Sequence, residues 1–84
     1  MTFSIIWHPK VQKALRKLPK ELAQRIVEKV GKLREEPFSY LEHYEGKDYY
    51  KLRIGNYRLL IEVDMDEKTL LIQILGHRKN VYKR

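Results

Sequence analysis

Apolar and polar residues alternate through the middle of the chain, on both sides of a Gly55-Asn56 pair. Residues 49–54 and 57–64 follow the period of two that is typical of a half-buried β-strand. A Gly-Asn pair between two such runs indicates a β-hairpin, and its two-residue loop aligns the flanking residues in order. The sequence therefore predicts three facing pairs: Ile54 with Tyr57, Arg53 with Arg58, and Leu52 with Leu59.

The first half of the chain combines one apolar run with helical periodicity. Residues 3–7 are rich in β-branched and aromatic side chains and stop before His8-Pro9, which predicts a strand. From Lys10 to Leu18, apolar residues recur at helical spacing until Pro19. A second helix is predicted for residues 20–34, and Pro37 ends it. With so tight a turn between them, the two helices should form an antiparallel hairpin.

The remaining segments are a loop and a last strand. Residues 36–47 have no clear period, so we interpret them as a loop that packs through Phe38, Leu41 or Tyr44. Residues 69–75 predict a strand that Gly76 breaks. The order strand, helix, helix, strand, strand, strand indicates an α+β fold, with the helical hairpin on one face of an antiparallel sheet. At 84 residues, we expect a single domain spanning 1–84.

The hairpin carries its charges on one face. Leu52, Ile54 and Leu59 alternate with Lys51, Arg53 and Arg58, so the three cations share the face opposite the core. Like charges directly opposite each other destabilise a sheet by a few tenths of a kcal/mol up to about 1 kcal/mol, and an anionic ligand would remove that cost. The alternative is a solvated face whose long side chains splay apart.

The amino-acid composition favours some classes of binding partner and excludes some kinds of site. The formal net charge of +7 favours a polyanionic partner, with nucleic acid ahead of an acidic protein and of an anionic membrane surface. The absence of cysteine excludes disulfides, cysteine nucleophiles and cysteine-type zinc sites. No apolar run approaches the length of a membrane span, so we expect a soluble, cytoplasmic protein.

A basic surface of this kind has the groups needed to cleave RNA without a metal. RNA supplies its own nucleophile, the 2′-hydroxyl, so an enzyme needs a base, a phosphate stabiliser and an acid. Arginine is always protonated and suits the phosphate, whereas Lys51 could act as the base because neighbouring cations disfavour its charged form. Tyr82 offers a ring on which a base can stack. His8 and His43 lack metal-ligand spacing; His77, next to Arg78, is an alternative acid or base.

Three segments together resemble the RelE/ParE superfamily of toxins from toxin-antitoxin pairs, and most closely its RelE branch. They are Ala14-Leu15-Arg16-Lys17-Leu18, the block from Tyr50 to Arg58, and Gly76-His77-Arg78 followed by Val81-Tyr82. The resemblance implies a RelE-like fold and a ribosome-dependent endoribonuclease that cuts messenger RNA in the ribosomal A site, without a metal or another cofactor. It also implies a RelB-like antitoxin, the 70S ribosome and messenger RNA as partners, and no membrane.

The resemblance also assigns roles. It makes Lys51 the general base, Arg53 a second cation, Arg58 the phosphate-stabilising arginine, Arg78 a general acid or charge stabiliser, and Tyr82 the stacking ring. We expect the RNA-binding surface to comprise Lys47, Lys51, Arg53, Arg58, His77, Arg78, Lys79 and Tyr82. Some relatives use glutamate and histidine for proton transfer, which keeps His77 as an alternative. Two other functions stay open: the ParE branch shares the fold and inhibits DNA gyrase, and a non-catalytic RNA-binding module would use the same charges.

Overall fold

The computed structural model describes residues 2–44 and 48–77, which form two helices and five strands. In chain order, the elements are β1 (Ser4–Trp7), α1 (Pro9–Arg16), α2 (Lys20–Gly31), β2 (Glu42–His43), β3 (Tyr49–Ile54), β4 (Tyr57–Asp64) and β5 (Thr69–His77). Short 3₁₀ turns at Lys32–Arg34 and Pro37–Ser39 connect α2 to β2.

The strands form one sheet in the order β1-β5-β4-β3-β2. Three of its pairings are antiparallel, and β1 lies parallel to β5. The helices cover one face, where apolar side chains from both layers form a single core. Its buried residues are Phe3, Val11, Ile26, Val30, Leu33, Leu52, Ile54, Leu59, Ile61, Val63, Leu70 and Ile72. The predicted α+β class, with a helical hairpin on one face of the sheet, is confirmed.

Local sequence explains where the helices begin. His8 caps α1, because its Nδ1 accepts a hydrogen bond of 3.0 Å from the backbone N–H of Lys10, and Pro9 occupies the first turn. Extended backbone at Pro19 separates α1 from α2. The predicted ends of both helices are wrong. Helix α1 stops at Arg16 instead of Leu18, and α2 stops at Gly31 instead of residue 34, because 3₁₀ geometry follows Gly31.

No helix in the described ranges is long and apolar enough to cross a membrane.

The β3–β4 hairpin has the predicted register. Ile54 pairs with Tyr57, Arg53 with Arg58, and Leu52 with Leu59. Gly55 has φ +58°, whereas Asn56 has a negative φ, which is the combination found in type II′ turns with glycine in the first central position. Local turn chemistry therefore places the two arginines opposite each other.

Two predictions about strands are wrong. Residues 36–47 do not form only a loop, because Glu42–His43 pairs with β3 and adds a fifth strand to the sheet. Gly76 does not break the last strand, because β5 continues to His77. β5 also contains a β-bulge: Ile72 pairs with Ile61 and Ile74 with Leu60, which leaves Gln73 as the extra residue.

Candidate nucleic-acid interface

The face of the sheet away from the helices, here called the open face, carries the three predicted cations. Lys51 and Arg53 project from β3 and Arg58 projects from β4. They alternate with Leu52, Ile54 and Leu59, which are between 0% and 4% exposed in the core. The structure therefore brings together Lys51, Arg53 and Arg58 as the sequence predicted.

Arg53 and Arg58 form the centre of this basic surface. They are directly opposite in the register, and Gly76 of β5 pairs with Arg58 on its other side. Glycine contributes no side chain at that position, so nothing projects from β5 directly across from Arg58. Arg53 is exposed, whereas Arg58 is half-buried and its Nε atom is buried. The guanidinium of Arg58 is therefore more restrained than that of Arg53. Both groups present paired N–H donors whose geometry matches the oxygens of a phosphate.

Lys51 lies toward the β2 side of the surface. Its Nζ is 3.6 Å from Oε1 of Glu42 and 6.0 Å from the centroid of the Tyr44 ring. Sequence reasoning missed the contribution of Glu42 and Tyr44 to the site, because residues 36–47 have no period from which a strand could be predicted. Tyr49 was also missed, although its alternation with Lys51 and Arg53 indicates the same face; it is 37% exposed.

His77 is separated from these cations. It pairs with Tyr57, whose side chain alternates with Arg58, and the two rings meet edge-on with centroids 5.5 Å apart. His77 therefore projects from the face opposite Arg58. The bulge at Gln73 determines this: it directs Leu75 to the core and Gly76 to the open face. Gln73 Nε2 donates a hydrogen bond to Glu62 Oε1 at the bulge. The structure thus does not group His77 with the predicted site.

Four predicted site residues lie outside the described ranges: Lys47, Arg78, Lys79 and Tyr82. Their roles stay predictions from the resemblance. Within residues 2–44 and 48–77, no group of three or more His, Asp or Glu side chains could hold a metal ion. The other two histidines have structural positions, with His8 capping α1 and His43 in edge contact with the Tyr50 ring at 5.0 Å.

An apolar strip lies beside the basic surface on the open face. Ile6 of β1 pairs with Leu71, and Leu60 pairs with Ile74, so these four side chains share the face with the cations. Ile6 is 49% exposed and Ile74 is 38% exposed. The open face thus combines a basic half, suited to a phosphate backbone, with an apolar half, suited to a protein partner.

The chain is similar to known toxins in both sequence and fold. The family model described as ParE toxin of type II toxin-antitoxin system, parDE, matches residues 5–82. RelE1 of Methanocaldococcus jannaschii is 27% identical over 88 residues, which cover 99% of this chain and 98% of that protein. The archaeal RelE-RelB complex from Pyrococcus horikoshii OT3 contains a chain with 32% identity and a TM-score of 0.85, covering 96% of this chain and 100% of that one. A chain of the toxin-antitoxin complex RelBE2 from Mycobacterium tuberculosis has 26% sequence identity and a TM-score of 0.81. The match covers 93% of this chain and 100% of that one.

Proposed function

The chain is a member of the ParE toxin family of type II toxin-antitoxin systems, within the RelE/ParE superfamily, and we propose that it is a ribosome-dependent endoribonuclease. In this proposal, it cleaves messenger RNA in the ribosomal A site, using the 2′-hydroxyl of the message as the nucleophile and no metal. The observation that carries the proposal is the convergence of Lys51, Arg53 and Arg58 on one face that the helices leave uncovered.

The proposed chemistry divides into three tasks. A base removes the proton of the 2′-hydroxyl, cations stabilise the crowded phosphate as negative charge develops, and an acid protonates the departing 5′ oxygen. Arg58 suits the second task, because its half-buried side chain holds forked donors that stay protonated throughout. Arg53, directly opposite, supplies further positive charge from an exposed position.

The residues that transfer protons are proposed from the resemblance to RelE-type toxins. Lys51 is the proposed base, because it stands beside Arg53 on the same face and matches the lysine of RelE-type toxins. Arg78 is the proposed acid or charge stabiliser, and Tyr82 the ring that stacks on the cleaved nucleotide. His77 has weaker support as an alternative, because it projects from the face opposite Arg58.

The proposed protein partner is a RelB-like antitoxin. Solved complexes of similar toxins with RelB support it, including the one from Pyrococcus horikoshii. The apolar half of the open face, with Ile6 and Ile74 exposed, offers such a partner hydrophobic surface next to the cations. Action on translating ribosomes would place the protein in the cytoplasm.

Cleavage by substituted proteins tests the proposal. Each protein is added to ribosomes translating a defined message, and the rate at which new message ends form is measured by primer extension. Replacing Arg58 with alanine should lower this rate by about 10²-fold or more, the loss typical of removing one preorganised donor. The control is Arg25→Ala, an exposed position on α2 behind the sheet. Equal rates for both variants would contradict the assigned site.

Two other functions make different predictions in the same experiment. A gyrase inhibitor, the activity associated with the ParE branch, would leave the message intact and block supercoiling by DNA gyrase. A non-catalytic RNA-binding module would bind RNA with a strong salt dependence but produce no new ends.

A further inference from the structure

The short strand β2 places one carboxylate among the cations of the open face. Glu42 pairs with Lys51 and His43 pairs with Tyr50 in the β2–β3 register. Alternation directs His43 toward the Tyr50 ring, at a centroid distance of 5.0 Å, and Glu42 to the open face. Backbone pairing therefore holds Glu42 next to Lys51, with Oε1 3.6 Å from Nζ.

The two partners differ in their access to solvent. The side chain of Lys51 is 23% exposed, whereas that of Glu42 is 61% exposed. The ring of Tyr44 lies near the same ammonium, with its centroid 6.0 Å from Nζ. A phosphate that approaches Lys51 from solvent therefore competes with the Glu42 carboxylate, which already lies next to the ammonium group of Lys51. Because Glu42 is well exposed, its attraction to Lys51 is screened by water, and a phosphate can displace it.

We propose that Glu42 is an internal counter-anion that competes with the RNA backbone for Lys51. Without RNA, the carboxylate compensates one cation of a surface on which Arg53 and Arg58 already face each other. When RNA binds, a phosphate takes the place of the carboxylate at Lys51. Glu42 thus acts through Lys51 as a positioning residue and sets how tightly the site holds RNA. This inference rests on the proposed function, because it requires RNA to bind the open face.

The test measures binding of a 2′-O-methyl oligoribonucleotide, which lacks the free 2′-hydroxyl needed for cleavage. Fluorescence anisotropy gives the dissociation constant at several salt concentrations for the whole chain. Glu42→Gln should bind about two- to fivefold more tightly than the unmodified protein, the range expected for an exposed ion pair. The advantage of the variant should shrink as the salt concentration rises, because salt screens the attraction between Glu42 and Lys51 in the unmodified protein.

Three further variants separate this role from a general effect of charge or structure. Glu28→Gln removes the same charge from an exposed position on α2 and should change binding less than Glu42→Gln. Glu42→Asp should restore binding toward that of the unmodified protein. In a Lys51→Met background, Glu42→Gln should have no effect beyond that of Glu28→Gln, because the contested cation is gone.

Opposite results overturn the inference in distinguishable ways. If Glu42→Gln binds no more tightly than Glu28→Gln, or if its effect persists in the Lys51→Met background, Glu42 does not compete for Lys51, while the proposed function stands. If neither the unmodified protein nor any variant binds the oligonucleotide even at low salt, the open face does not hold RNA by itself and the competition proposed for Glu42 is overturned, whereas the proposed cleavage on ribosomes is decided separately by primer extension.

Discussion

Replacing Arg53 with glutamine should stabilise the free protein while impairing its activity. Arg53 lies directly opposite Arg58 in the β3–β4 register, and like charges in this position cost up to about 1 kcal/mol. Arg53 is exposed, so water screens the repulsion, and we expect a gain of about 0.5 kcal/mol in the free energy of unfolding at low salt. For a domain of this size, that corresponds to a rise of about 2 to 4 °C in melting temperature.

Thermal unfolding followed by circular dichroism measures this gain at low salt and at about 1 M salt, where the screening length falls to about 3 Å. The gain should nearly vanish at high salt, and adding a polyphosphate should stabilise the unmodified protein more than the variant. Arg25→Gln, on the exposed surface of α2, is the control for loss of one positive charge. A variant that melts lower than the unmodified protein at low salt, or a gain that high salt leaves unchanged, would refute the argument.

Other substitutions test the fold that positions the site. Gly55→Ala should lower the free energy of unfolding in urea by about 1 to 2 kcal/mol, because φ is +58° although no atom would crowd the new Cβ; an unchanged midpoint would contradict the turn geometry. Gly31 lies in helical backbone at φ −58°, so Gly31→Ala should raise the free energy of unfolding by up to about 1 kcal/mol. A lower free energy of unfolding for this variant would contradict the prediction. Leu59→Ala should cost about 2 to 5 kcal/mol in the same assay, because Leu59 is 0% exposed. Ile74→Ala, on the open face, should cost clearly less, and equal losses would argue against the assignment of faces.

Local sequence was enough to predict the hairpin and the basic surface. Alternation around Gly55-Asn56 determines the register, and the register places Arg53 against Arg58. Helical periodicity likewise predicted both helices, although their ends depend on packing and on the change to 3₁₀ geometry after Gly31. These features depend on residues close together in the chain, so the pattern of apolar and polar residues is enough to predict them.

Features that depend on distant residues could not be predicted in this way. The parallel pairing of β1 with β5 joins residues far apart in the chain, such as Ser4 and Thr69. The bulge at Gln73, where its side chain bonds Glu62, shifts the alternation of β5 and turns His77 away from the cations. Strand β2 is too short to show a period, so the contact of Glu42 with Lys51 emerged only from the structure.

The most direct test of the central claim compares one message with and without ribosomes. The purified protein is added to translating ribosomes and to the same message free in solution, and the message ends are mapped by primer extension. The proposed activity predicts new ends confined to ribosome-bound message. Intact message in both samples, together with loss of supercoiling by DNA gyrase in the presence of the protein, would contradict the claim.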